Sequence, residues 1–171
     1  MEVFMLQLRP LKQKDIEEIQ HFITSEEEFW LWNQGRFLAY PVSEESIKEY
    51  FNSLEGDSRV WSMCAWEDDE LVGHVQLRLL KEECDCLKLG MIFLNPHKRK
   101  MGYGSKMLTL VLEYAKHCLA VDKVRIGVYE DNIPAKKCYE RLGFHLADSK
   151  LFQIENIAGH NRKLEFVEKV L

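Results

Sequence analysis

Residues Leu87 to Leu112 read LKLGMIFLNPHKRKMGYGSKMLTLVL. The apolar run Leu87 to Leu94 has the length and the Ile/Phe content of a buried strand. Asn95-Pro96 ends it, because proline has no N–H to give a strand ladder. A basic turn, His97-Lys98-Arg99-Lys100, leads into Gly102-Tyr103-Gly104-Ser105, and Met107, Leu108, Val111, Ala115 and Cys118 then recur at helical spacing. The order is strand, basic glycine loop, helix. The first N–H groups of a helix lack partners and sit at the positive end of the macrodipole. Glycines let a ligand approach the backbone, and lysine and arginine add charge. A phosphate or pyrophosphate is the expected guest.

Two common phosphate loops do not fit. A Walker A loop needs G-x-x-x-x-G-K-[ST], but Ser105-Lys106 has the reverse order and Arg99 stands where the first glycine would fall. A dinucleotide fingerprint G-x-G-x-x-G would end at position 107, which is Met107. What remains is Arg99-x-x-Gly102-x-Gly104. It resembles the acyl-CoA pyrophosphate loop of the GNAT superfamily of N-acetyltransferases, [RQ]-x-x-G-x-[GA]. Downstream, Val124, Ile126 and Val128 alternate in a strand from Lys123 to Tyr129. Asn132, Ala135, Tyr139, Gly143 and Phe144 then fill every key position of a second block similar to that family's, N-x-x-A-x-x-x-Y-x-x-x-G-F. The likeness is good from Leu71 to Phe144 and holds in outline on the flanks.

The resemblance implies acetyl-CoA as co-substrate and a primary amine, of a small molecule or a protein N-terminus, as acceptor. By the same resemblance, backbone N–H groups of Met101, Gly102, Tyr103, Gly104 and Ser105 bind the pyrophosphate, with Arg99 and Lys100 adding charge. Backbone groups of Ile92, Phe93 and Leu94 pair with the pantetheine arm as an added strand would. Splaying of this strand from Lys123–Tyr129 opens the slot, and Asn132 hydrogen-bonds the arm. Tyr139 is the matched position for the acid that protonates the leaving thiolate. Read without the family, it belongs to the apolar stripe Ala135, Cys138, Tyr139, Leu142 of a helix. The glutamate that many relatives carry on the strand before the loop falls at Gly90, which leaves the general base open among His74, Glu83, Asp85 and a water chain.

Composition sets the outer limits. With 171 residues, 46% of them hydrophobic, the chain is expected to form one domain, 1–171. No apolar run approaches the roughly 18 residues of a membrane span. The N-terminal MEVFMLQLRP lacks the features of a secretory signal, so a soluble, cytoplasmic protein is expected. A net charge of −5 argues against a nucleic-acid partner. Cys84-x-Cys86 has no second Cys/His pair at zinc spacing, so no metal is expected. The five cysteines are read as reduced thiols.

The flanks complete the outline. Met1 to Arg9 reads as a strand ended by Pro10, and Ile16, Ile19 and Ile23 mark a helix from about Lys12. Ser25 to Pro41 reads as irregular. Its Trp30, Trp32 and Tyr40 are candidates for an aromatic wall over the acceptor, or simply a cover for the core, and Glu26, Glu27 and Glu28 would suit a cationic amine. Ser43 caps a helix from Glu44 to Leu54. Val60–Trp66 and Leu71–Leu80 form a hairpin. In its second strand His74, Gln76 and Arg78 share the polar face, and His74 is a candidate substrate contact. Lys150–Ile154 and Lys163–Val170 close the chain as a second hairpin. The expected fold is α/β (α+β), a mixed, mostly antiparallel sheet with helices on both faces, in the order β-α-α-β-β-β-α-β-α-β-β. Edge strands permit a monomer or a homodimer. Two rival functions stay open: a non-catalytic acyl-CoA-binding regulatory module, and a phosphate or nucleic-acid binder using the basic loop alone.

Overall fold

A computed structural model describes residues 5–171. The chain forms β1 (Gln7–Pro10), α1 (Asp15–Gln20), α2 (Glu26–Asn33), α3 (Glu44–Ser53), β2 (Val60–Glu67), β3 (Glu70–Leu79) and β4 (Cys86–Leu94). A single 3-10 turn, Pro96–Lys98, precedes α4 (Tyr103–His117), β5 (Lys123–Tyr129), α5 (Ile133–Arg141), β6 (His145–Leu146), β7 (Phe152–Ile157) and β8 (His160–Val170). One eight-stranded sheet runs β1-β2-β3-β4-β5-β8-β6, with β7 also paired to β8. Every pairing is antiparallel except β4 with β5. Among the described residues no helix is long and apolar enough to cross a membrane.

The mixed sheet with helices on both faces agrees with the sequence reading. The differences are local. Ser25–Pro41 is not irregular: Ser25 accepts a hydrogen bond from the Glu28 N–H and starts α2. The first helix is shorter than its isoleucine spacing predicts, because Lys12 N–H donates to the Asp15 carboxylate at 2.8 Å and the helix begins only there. The first strand is seen from Gln7 to Pro10; Met1 to Phe4 lie outside the described residues. The short strand β6 is additional. The closing hairpin is set two residues later on its first arm, which spans Phe152–Ile157.

Each face carries its own core. On one, Leu108, Val111 and Ala115 of α4 bury Val75, Leu77, Leu87, Leu89, Val124 and Ile126. On the other, Ile16, Ile19, Phe29, Trp32, Ile47 and Phe51 of α1 to α3 cover Cys64, Trp66, Met91 and Phe93. Leu89 and Met91 belong to opposite faces although two residues apart, which an uninterrupted strand forbids. The cause is a bulge. His74 pairs Phe93 and Gln76 pairs Gly90, so β4 spends one residue more than β3 over this interval. Met91 takes up the irregularity with φ +46°.

Gly73 on β3 lets the sheet close against β4 and α4. A Cβ there would lie 2.7 Å from the Phe93 carbonyl oxygen, 2.8 Å from Leu94 Cδ2 and 3.1 Å from Met107 Sδ. The carbonyl belongs to the sheet and cannot swing aside. Gly73→Ala is therefore expected to cost about 1–3 kcal/mol. Scanning calorimetry should show the melting temperature lowered by roughly 2–12 °C.

Candidate functional site

The parallel pairing of β4 with β5 covers only Cys86 to Leu89 against Lys123 to Ile126. Beyond Leu89 and Ile126 the strands part. The gap is a narrow cavity of about 70 Å³, lined by Leu31, Trp32 and Gln34 above, Gly90 to Ile92 and Ile126 to Tyr129 along its sides, and Asn132, Ala135 and Tyr139 of the second block. A larger hollow of about 280 Å³ lies elsewhere, between α1, α3 and β2, and contains none of the motif residues.

Two contacts hold the gap in shape. Gln34, the left-handed residue that ends α2, donates from Nε2 to the Gly127 carbonyl oxygen at 3.1 Å. That bond ties α2 to β5 where β5 has lost β4. His74 sits within hydrogen-bond distance of the Met91 carbonyl, 2.8 Å from Nδ1, and is stacked on Phe93 at 4.9 Å and 19°. The Met91 carbonyl can only accept, so Nδ1 carries the proton in the neutral ring. Nε2 is buried without a partner among the described residues.

The glycine loop stands at the end of the same strand. Lys100 and Gly102 take left-handed backbones, φ +61° and +84°, turning the chain into α4. Gly102 is the N-cap and supplies no side chain, so the first-turn N–H groups of α4 have no cap. Gly104 lies close to Leu94 and Cys138: a Cβ would meet Leu94 Cδ1 at 3.3 Å and Cys138 Sγ at 3.7 Å. Tyr103 is anchored away from the loop by its hydroxyl, which donates to Glu67, while Lys98 pairs with Glu70 at 2.7 Å. Met101 and Lys100 are exposed. Asn132 caps α5, accepting from the Ala135 N–H at 3.3 Å through Oδ1, which leaves its amide N–H₂ group beside the slot.

Other sequence candidates are employed differently. Arg99 does not offer its charge to the loop. Its guanidinium ion-pairs with Glu28, donates to the Phe22 carbonyl at 2.8 Å and reaches the Leu94 carbonyl at 3.4 Å. It thereby staples the start of α2 to the end of β4. Glu28 is spent in that pair and on Thr24, and Glu26 accepts from the Trp30 indole, so two of the three acids of this turn are occupied internally. Trp32 lines the slot, its indole N–H buried without a partner. Trp30 and Tyr40 pack on Phe29 at 4.7 and 5.5 Å and do not line it. Tyr139 lines the slot and is 7% exposed, and burial pushes its phenol pKa well up. Of the candidate bases, Glu83 is clamped by Arg125 and Lys123 at the opposite end of β4, and Asp85 precedes that same end. His74 is 0% exposed rather than facing solvent.

Sequence reading missed one group. The side chain of Arg36 lies over Gly90, with Nη2 3.4 Å from where a Cβ would stand. Arg36 Nε donates to the Tyr50 hydroxyl at 3.2 Å, and that hydroxyl donates to Gln76 Oε1 at 3.0 Å. A guanidinium therefore occupies the space that a strand glutamate would enter.

Residues 5–145 match the family model described as an acetyltransferase (GNAT) domain, and the chain belongs to that family. Among curated proteins it is similar to a probable N-acetyltransferase, YjcK, of Bacillus subtilis (strain 168), 26% identical over 81% of this chain and 79% of that one. A probable spermine N(1)-acetyltransferase of Bacillus subtilis subsp. natto is 25% identical over 53% of this chain and 62% of its own. Among solved structures, the fold matches spermidine N-acetyltransferase from Vibrio cholerae in complex with CoA and spermine. The TM-score is 0.80 and the identity 20%, over 96% of this chain and 95% of that one. A dodecameric structure of spermidine N-acetyltransferase from the same organism matches with a TM-score of 0.73 and 20% identity, over 96% and 93% of the two chains.

His74 provides a measurable signature. Burial lowers its pKa from 6.5 to about 4, against a smaller upward pull from the Met91 carbonyl. As pH falls, the unfolded chain takes up this proton first. The contribution is complete above pH 6.5 and is lost as pH falls toward 4, worth about 3 kcal/mol across that window. Urea unfolding midpoints should drop over that range, and His74→Gln should flatten the slope.

Proposed function

We propose that this chain transfers the acetyl group of acetyl-CoA directly to a primary amine of a small acceptor, within the slot between β4 and β5. The observation that carries this reading is an unpaired strand edge that faces Tyr139 across one gap, with an uncapped helix start following the end of the same strand. Acetyl-CoA would bring an already activated thioester, so the chain's work is holding, aligning and proton management.

The N–H groups from Met101 to Ser105 cradle the pyrophosphate at the start of α4, with Lys100 adding charge. Arg99 contributes rigidity, not charge, to that cradle. The free edge of Ile92 to Leu94 pairs with the amide-bearing arm as an added strand would. The Asn132 amide group reaches the same arm. The carbonyl to be attacked would lie beside Gly90 and Met91, where the strands part.

The balance is simple. The amine nitrogen forms a bond to the acyl carbon, the carbon–sulfur bond breaks, and the sulfur takes the Tyr139 proton. The ammonium's lost protons pass to water, one of them restoring Tyr139. The phenol is protonated at neutral pH and so holds a proton to give; burial, which raises its pKa, makes it the weaker acid and holds that proton until the thiolate forms. His74, Glu83 and Asp85 take no part.

Tyr139→Phe keeps the ring and its packing on Phe144 but removes the proton donor. Steady-state kinetics should show kcat reduced about 10²–10⁴-fold with the acetyl-CoA KM little changed. Retained turnover would exclude Tyr139 from the chemistry.

A further inference from the structure

The face of the sheet beneath α2 and α3 carries an unbalanced charge. Lys88 and Gly90 of β4 lie on it, opposite Arg78 and Gln76 of β3 and beside Arg125 of β5. Most charges here are matched. Arg125 is paired with Glu83 at 2.7 Å and Glu168 at 2.5 Å, Arg78 lies 3.7 Å from Asp57, and Glu155 accepts from the Tyr129 hydroxyl. Arg36 and Lys88 are different. Among the described residues neither has a carboxylate within 4.0 Å.

Their settings are also unusual. Lys88 reaches past β5 to lay its ammonium 5.5 Å from the centre of the Phe166 ring on β8. Its pKa is lowered, first by burial and then by the charge of Arg36, against a smaller upward pull from Glu155. Arg36 is fixed by Nε and Nη1, through Tyr50, the Asn33 carbonyl and Gln34, while Nη2 has no hydrogen-bond partner among the described residues. Gln76 closes the set. It is 3% exposed, its Oε1 is held by Tyr50, and its Nε2 is buried without a partner among the described residues. Buried donors are rarely left unpaired, and two cations kept together without an anion repel each other. Arg36 and Gln76 are joined through one tyrosine hydroxyl, and both meet Gly90, a lining residue of the slot. The absence of a side chain at Gly90 lets the Arg36 guanidinium lie over the strand, with Nη2 at the edge of the slot.

We propose that the acceptor is an amino carboxylate, an amino-acid-like molecule rather than a polyamine, and that Arg36, Lys88 and Gln76 hold its carboxylate at the Gly90 end of the slot, against the free Arg36 Nη2, while its amine enters the slot. The inference rests on the acetyl transfer proposed above. A carboxylate completes the Arg36 and Gln76 donor sets and neutralises Lys88. A polyamine brings further positive charge beside Arg36 and Lys88, two cations with no carboxylate within 4.0 Å among the described residues, which costs binding energy. Lys88 and Arg36 thus act as specificity residues, and their removal changes the choice of acceptor more than the rate of the chemical step.

The test is a panel of common α-amino acids, each beside its amide and its decarboxylated amine, together with spermidine. CoA thiol release is followed, and acetyl-CoA binding is measured separately by calorimetry. Wild type should favour the carboxylate member of a matched pair by at least about tenfold in kcat/KM. Arg36→Gln and Lys88→Met should each raise the acceptor KM and erase that preference, with acetyl-CoA binding unchanged, while Lys88→Arg should restore much of it. Equal or better use of the amide, the decarboxylated amine or spermidine overturns the inference and leaves acetyl transfer standing. Acetyl-CoA binding without turnover of any carboxylate overturns it too. Failure of folded wild type to bind acetyl-CoA removes the acetyl-transfer reading itself.

Discussion

Everything in this molecule depends on where β4 and β5 stop being paired. Parallel strands normally share evenly spaced hydrogen bonds along their length. Here the pairing ends after Leu89 and Ile126, and the backbone beyond is available to something other than the sheet. An unpaired edge inside a fold is costly unless a partner satisfies it. The chain manages this with a bulge at Met91, which turns β4, and with Gln34, which takes over the Gly127 carbonyl. The residues on the far side of the gap include Asn132, Ala135 and Tyr139 of the second motif, and the glycine loop meets that motif beside the gap, where Gly104 and Ser105 approach Cys138.

The charges divide by task. Arg99 looks like a phosphate ligand by position but serves as a structural staple, with Nε, Nη1 and Nη2 each bonded, to Leu94, Glu28 and Phe22. Its value is to lock the end of β4 to α2, the helix that roofs the slot. Arg36 carries no motif, yet it stands over Gly90 with a donor to spare. The loop that offers N–H groups to a pyrophosphate and the face that offers cations to an acceptor are therefore built from different parts of the chain.

The sequence showed the strands and the two motif blocks clearly, because both rest on local patterns: alternating apolar residues, a glycine loop, and helix stripes. It showed less where the determinant was distant. The partner of Arg99, Glu28, is 71 residues away in sequence. Helix α2 was hidden because Phe29, Trp30, Leu31 and Trp32 form no single stripe, although Ser25 with Glu28 is a capping-box signature that could have revealed it. The bulge left no trace, since Leu89 and Met91 look like continued alternation and Met91 is not a residue that favours positive φ. His74 sits on an alternating polar face, and only the packing of Phe51 and Phe93 around it shows that the face is covered. Gly90 was visible as a missing glutamate, but the guanidinium above it was not.

The central claim is that the open edge of β4 is the seat of the acetyl-CoA arm, and amide hydrogen exchange measures it directly. Without ligand, backbone amides on the open edge between residues 90 and 94 should exchange faster than those of the paired stretch Cys86 to Leu89. Saturating acetyl-CoA should slow those amides, and the first-turn amides of Met101 to Ser105, together. Protection confined to the glycine loop, with the residues 90 to 94 unchanged, would contradict the account.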